Sequence, residues 1–129
     1  MSVKKYNKLV RDKIPEIIES QGKQCKVYVA VNEDYQQRLK DKLQEEVQEF
    51  LEDPCVEELA DIEEVLLSIA EVNKWDLTGA RIAKNFTRGG FWRRIVLQEV
   101  SDVVVENESV TKSKWCSHTP SNTLYLEEE

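Results

Sequence analysis

One dipeptide, Asp53-Pro54, breaks two long stretches of helical patterning and constrains this chain more than any other feature. Before it, Tyr35, Leu39, Leu43, Val47 and Phe50 recur at spacings of four and three, the apolar stripe of an amphipathic helix running from Asn32 to about Leu51. After it, Val56, Leu59, Ala60, Ile62, Leu66, Leu67, Ile69 and Ala70 cover a broad arc of a helix reaching about Lys74. Asn32 suits the N-cap of the first helix; Asp53 suits that of the second, with Pro54 at its first position. So short a connection between helices favours antiparallel neighbours. The width of the second apolar arc implies packing on more than one side, and in a chain this short the second side suggests a subunit interface.

The same junction organises the acidic residues. Glu46/Glu49 and Glu58/Asp61 are each spaced i, i+3, which puts both members of a pair on one helix face. The pairs are equidistant from Asp53-Pro54, so folding back sets Glu49 level with Glu58 and Glu46 level with Asp61. Four carboxylates facing across a helical hairpin are suited to a hard divalent cation. The plainer alternative is a solvated charged face: the chain has 25 acidic residues, and exposed like-charge pairs cost only about 0.2–0.5 kcal/mol each. Against it, Glu46 falls inside the apolar stripe, where an uncompensated carboxylate costs several kcal/mol. Lys42, one turn earlier, offers partial compensation. With only oxygen ligands to hand, the metal expected is Mg²⁺, or Mn²⁺, rather than zinc.

A basic cluster stands out downstream: Lys84, Arg88, Arg93 and Arg94, around Gly89-Gly90. Asp76 suits the N-cap of a helix that those glycines would stop. Lys84 and Arg88 lie one turn apart, and such a clamp beside carboxylate-held Mg²⁺ belongs to phosphoryl-transfer chemistry. A helix end gathering cations for its dipole is the competing explanation.

Composition narrows the function classes. The net charge of −7 argues against a general nucleic-acid polymer as partner. No apolar run approaches the roughly 20 residues of a membrane span, and the first thirteen residues lack the apolar core of a signal peptide. Cys25, Cys55 and Cys116 are odd in number and widely spaced, so a reducing, cytoplasmic setting is expected. His118 is the only histidine, and no Gly-rich phosphate loop occurs. Elsewhere, Pro15 suits the first turn of a short helix ended by Gly22. Residues 23–31 read as a short strand or extended connector, and Phe91–Val100 with Val103–Val105 as β-prone, a possible hairpin. The expected layout is a domain over 1–105 and a polar extension over 106–129, in which Trp115, Leu124 and Tyr125 are candidates for docking.

Four ordered segments then carry a family likeness: Tyr6–Ile18 (YNKLVRDKIPEII), Glu45–Phe50 (EEVQEF), Glu57–Asp61 (EELAD) and Arg88–Phe91 (RGGF). Together they resemble the phosphoribosyl-ATP pyrophosphohydrolase-like branch of the all-α NTP pyrophosphohydrolases, the MazG superfamily, over about residues 4–100. The resemblance implies a mainly α, antiparallel helical bundle, here with short β-prone segments after the first helix and near the C-terminus. It also implies homo-oligomers (dimers or tetramers) and Mg²⁺-dependent cleavage of nucleoside triphosphates to monophosphate and pyrophosphate, and it suggests a role in clearing aberrant nucleotides. By position, Glu46, Glu49, Glu58 and Asp61 resemble the metal ligands, Glu45 an acid assisting metal or water, and Lys84 and Arg88 the phosphate contacts. Arg11 either reaches substrate phosphate from the N-terminal segment or, with Asp12 and Lys13, belongs to a structural ion-pair network. The Glu49–Glu58 gap is shorter than is usual in MazG itself. Phosphoribosyl-ATP hydrolysis and a non-catalytic, cation-binding helical module remain the alternatives.

Overall fold

A computed structural model describes residues 2–102 of the chain. Four helices occur among them, α1 (Ile14–Ser20), α2 (Asn32–Glu52), α3 (Val56–Asn73) and α4 (Leu77–Arg88), and no strand. The described chain is therefore mainly α, and none of its helices is long and apolar enough to cross a membrane. It divides into two compact units, Met1–Trp75 and Asp76–Glu129. The boundary expected at residue 105 lies outside the described residues, as do Val103–Val105, Trp115, Cys116, His118, Leu124 and Tyr125.

The first unit is built on the α2–α3 hairpin. Its antiparallel register is fixed far from the turn, where the Gln36 side-chain amide donates to Asn73 Oδ1 at 2.9 Å. Leu39 of α2 is the most buried large side chain, 2% exposed, and Val65 and Ala70 of α3 complete the buried apolar set among the described residues. Full burial of a leucine stabilises by about 1.5–3 kcal/mol, so this is a small core. The fourth buried residue is Glu46, inside the α2 stripe as its position predicts.

Helix ends explain where the elements stop. Pro15 sits in the first turn of α1, and Gly22, at φ 86°, follows its last turn with its N–H on the Glu19 carbonyl. Two anticipated caps are displaced. Asn32 is the first residue of α2 with φ 54°, and the extended residue before the helix is Val31, so the Asn32 side chain caps nothing. Asp53 does not cap α3 either. Its N–H donates to the Glu49 carbonyl at 3.0 Å, which makes it the last residue of the α2 ladder. Pro54 belongs to neither helix, Cys55 is extended, and α3 begins at Val56.

Residues 23–31 are the extended connector rather than a strand, and 91–102 likewise form no strand among the described residues. β-Branched composition favours a pleated surface only where a neighbouring strand offers a ladder to join. The apolar arc of α3 is partitioned by packing: Val65 and Ala70 turn inward, whereas Val56, Leu59, Leu66 and Leu67 are exposed on the single chain.

In the second unit, Asp76 caps α4 as anticipated, accepting from the Gly79 N–H at 3.0 Å. Gly79 permits that approach, since a Cβ there would collide with the Asp76 carboxylate. Arg88 occupies the last turn, and Gly89 leaves the helix at φ 84°.

Candidate metal centre

Because α2 and α3 fold back in register, one carboxylate oxygen from each of Glu46, Glu58 and Asp61 comes within 4.8 Å of the others. Glu46 enters from the buried side of α2 and is only 6% exposed; Glu58 and Asp61 are half-buried on α3. Two oxygens of this group, Glu46 Oε1 and Glu58 Oε1, are buried without a hydrogen-bond partner. A buried polar atom of a charged group left unsatisfied is costly. Oxygens orphaned in this way, in an all-oxygen donor set, fit a hard cation such as Mg²⁺ or Mn²⁺.

Protein cations meet other oxygens of the acidic cluster. Lys42 Nζ lies 3.0 Å from Glu46 Oε2 and 3.3 Å from Glu45 Oε1. Lys8 reaches Glu45 Oε2 at 2.6 Å, and Arg11 Nη2 donates to Asp61 Oδ1 at 2.7 Å. Titration follows these contacts. The hydrogen bond it donates to Asp61 raises the Arg11 pKa further. Burial pushes Lys42 down, but its bonds to Glu46 and Glu45 outweigh that and leave it raised. Burial likewise pushes Glu45 up, and Lys8 and Lys42 together bring it below the ordinary carboxylate value.

Glu49 differs from its neighbours. It is half-buried on α2 and does not join the close group of three. Loss of solvent first, then the negative fields of Glu46, Glu45 and Glu58, hold its pKa above the ordinary value. Of the four carboxylates anticipated from helical spacing, three therefore converge and the fourth stands beside them.

Arg11 is ion-paired with Asp61 across to α3. Lys84 and Arg88 lie one turn apart on α4, in the second unit. Two participants were not singled out from sequence. Lys8 holds Glu45, and Arg38 donates to the Asn7 carbonyl at 2.6 Å, fixing the N-terminal segment to α2. The only sequence signal for Lys8 is the concentration of lysine and arginine over residues 4–13 of an otherwise acidic chain. Partners 31 and 37 positions away in the chain give no periodicity to read.

No protein-family model matches this chain, and neither does any curated protein or solved structure. The chemistry of the site rests on its own residues.

Proposed function

We propose that the α2–α3 hairpin holds a divalent cation, Mg²⁺ or Mn²⁺, and that the chain is a nucleoside triphosphate pyrophosphohydrolase releasing the monophosphate and pyrophosphate. The observation that carries the cation is Glu46, buried to 6% exposure with Oε1 lacking a partner beside Glu58 and Asp61. The reaction class is supported by the four ordered segments that resemble the MazG superfamily. Glu46, Glu58 and Asp61 would hold the metal, with Glu49 the fourth acid that the resemblance adds. A bound Mg²⁺ supplies a water of lowered pKa and charge neutralisation for phosphate oxygens.

The chain's own residues define the rest. Lys42, bridging Glu45 and Glu46, ties the two side chains together. Glu45, kept ionised by Lys8 and Lys42, is an acceptor for a water at the edge of the site. Lys84 and Arg88 are the residues the resemblance assigns to phosphate, and their pairing on one turn of α4 suits that role. Substrates are triphosphates or related nucleotides, phosphoribosyl-ATP among them. We further propose a homo-oligomer, dimer or tetramer, in which a second copy covers Val56, Leu59, Leu66 and Leu67, because one chain buries only three apolar side chains among its described residues.

The rival reading is a structural ion-pair network, favoured by the three cations already seated on the acids. A panel of canonical and damaged nucleoside triphosphates and phosphoribosyl-ATP separates the two. Pyrophosphate release that requires Mg²⁺ and is lost in Asp61→Asn, with helicity preserved, is the expected result. Release of single phosphate, or none from any member of the panel, refutes the enzyme.

A further inference from the structure

Arg11 sits where two demands compete. Its guanidinium donates to Asp61 Oδ1 at 2.7 Å, and an oxygen of the same carboxylate lies within 4.8 Å of Glu46 and Glu58 oxygens. Arg11 is itself more than half exposed and belongs to no helix or strand, so turning its side chain outward breaks no secondary structure. The segment that carries it is fixed independently at both ends. Arg38 holds the Asn7 carbonyl on one side, and on the other the Ile14 N–H bonds the Arg11 carbonyl as α1 begins. The side chain is thus free to change partner while its backbone stays over the hairpin.

We propose that Arg11 is the resting counter-ion of Asp61, that it yields this carboxylate to a divalent cation, and that the released guanidinium binds a phosphate of the substrate. The inference rests on the cation-site reading above. It follows from charge: with a cation among the acids, Asp61 no longer needs Arg11, and the planar guanidinium is suited to bidentate contact with phosphate oxygens. A partly exposed ion pair contributes little by itself, so the exchange is easily reversed. Lys8, bonded to Glu45 from the same segment, would not exchange, because Glu45 lies outside the group of three.

The exchange has a signature of opposite signs, measurable by calorimetry on the full chain. Arg11→Met should tighten Mg²⁺ binding about two- to fivefold, the range that loss of an exposed competing ion pair allows. It should weaken binding of pyrophosphate to the Mg²⁺-loaded protein by at least about tenfold, as expected for a lost charge-assisted hydrogen bond. Arg11→Lys should recover part of both effects, and Lys5→Met, an exposed cation of the same segment, should produce neither. In wild type the Arg11 Nε–H resonance should shift on adding Mg²⁺ and shift again on adding pyrophosphate. If Arg11→Met weakens Mg²⁺ binding, leaves pyrophosphate affinity unchanged, or matches Lys5→Met, the exchange is refuted while the cation site stands. If wild type shows no Mg²⁺ binding that Glu46→Gln abolishes, both the site and the exchange are refuted.

Discussion

Replacing Glu46 with glutamine keeps its shape and removes its charge, which separates a cation site from a structural salt bridge. Among its contacts of known distance in the metal-free protein, the change deletes one attraction and two repulsions. At an effective dielectric of about 20, the Lys42–Glu46 contact at 3.0 Å contributes about 5–6 kcal/mol of attraction. Each like-charge contact from Glu46 to Glu58 and Asp61, taken at the 4.8 Å limit, opposes it by about 3–4 kcal/mol. Arg11 cancels part of the Asp61 term. The contributions nearly close, so Glu46→Gln should alter metal-free stability by less than about 2 kcal/mol, short of the roughly 3–5 kcal/mol for breaking a well-compensated buried pair. Its larger effect should appear with Mg²⁺. At a hundred times its dissociation constant the ion should stabilise wild type by about 2.7 kcal/mol and leave the variant unmoved. Urea unfolding followed by far-ultraviolet circular dichroism, with chelator and with Mg²⁺, measures both quantities. A metal-free loss of 3 kcal/mol or more, together with an unchanged Mg²⁺ response, would make Glu46 half of a structural ion pair and refute the metal centre.

Lys42→Met should do the converse, destabilising the metal-free protein by about 3 kcal/mol because it leaves Glu46 buried and unpaired, with Mg²⁺ restoring much of the loss in the same unfolding experiment. Leu59→Glu, on the exposed arc of α3, should shift sedimentation toward the monomer with helicity retained; an unchanged assembly would remove that face from the interface. Stability of the chelated protein should depend on pH in two windows on either side of the ordinary carboxylate value of 4.5. Glu49, raised in the fold, contributes stability that is present below 4.5 and is lost as pH climbs through its folded value, so Glu49→Gln should flatten that limb. Glu45, lowered in the fold, contributes stability present above 4.5 and lost as pH falls through its folded value, so Lys8→Met should flatten the acid limb. Thermal melts across both windows check the two signs separately.

Local signals in the sequence were read correctly where one element decides the outcome. The α2 stripe, the Gly22 and Gly89 exits, the Asp76 cap and the burial of Glu46 all follow from residues a few positions apart. The antiparallel hairpin followed as well, because a three-residue connection leaves two packed helices little choice of direction. Legibility ended where tertiary competition decides. Asp53 and Pro54 carry a helix-start signal, yet the last turn of α2 claims the Asp53 N–H and moves the start of α3 to Val56. The β-prone segments carry strand composition, but no second strand meets them among the described residues. Of the site, the three converging carboxylates were legible from spacing; Lys8 was not, nor was Asp61 as the partner of Arg11, because no helical register links an irregular segment to residues 37 and 50 positions away.

Those counter-ions also set how much charge the site can accept. Five carboxylates, those of Glu45, Glu46, Glu49, Glu58 and Asp61, gather around the turn-proximal half of the hairpin, and three cations, Lys8, Arg11 and Lys42, are bonded to them. The difference is two negative charges, which is the charge of one divalent ion. The deficit is not spread evenly. Lys8 and Lys42 over-serve Glu45, which is held readily ionised, whereas Glu46 Oε1 and Glu58 Oε1 have no partner and Glu49 feels the negative charge of Glu46, Glu45 and Glu58. A network evolved for stability alone would place its cations against those oxygens, since breaking even compensation at a buried charge is expensive. Here Lys8 and Arg11 stand at the exposed rim and Lys42 reaches only one oxygen of Glu46, which leaves Glu46 Oε1 and Glu58 Oε1 without a partner. That asymmetry is the physical argument for a bound cation, and it predicts where substitutions matter: loss of a rim lysine should change stability, while loss of an interior acid should change what the hairpin binds.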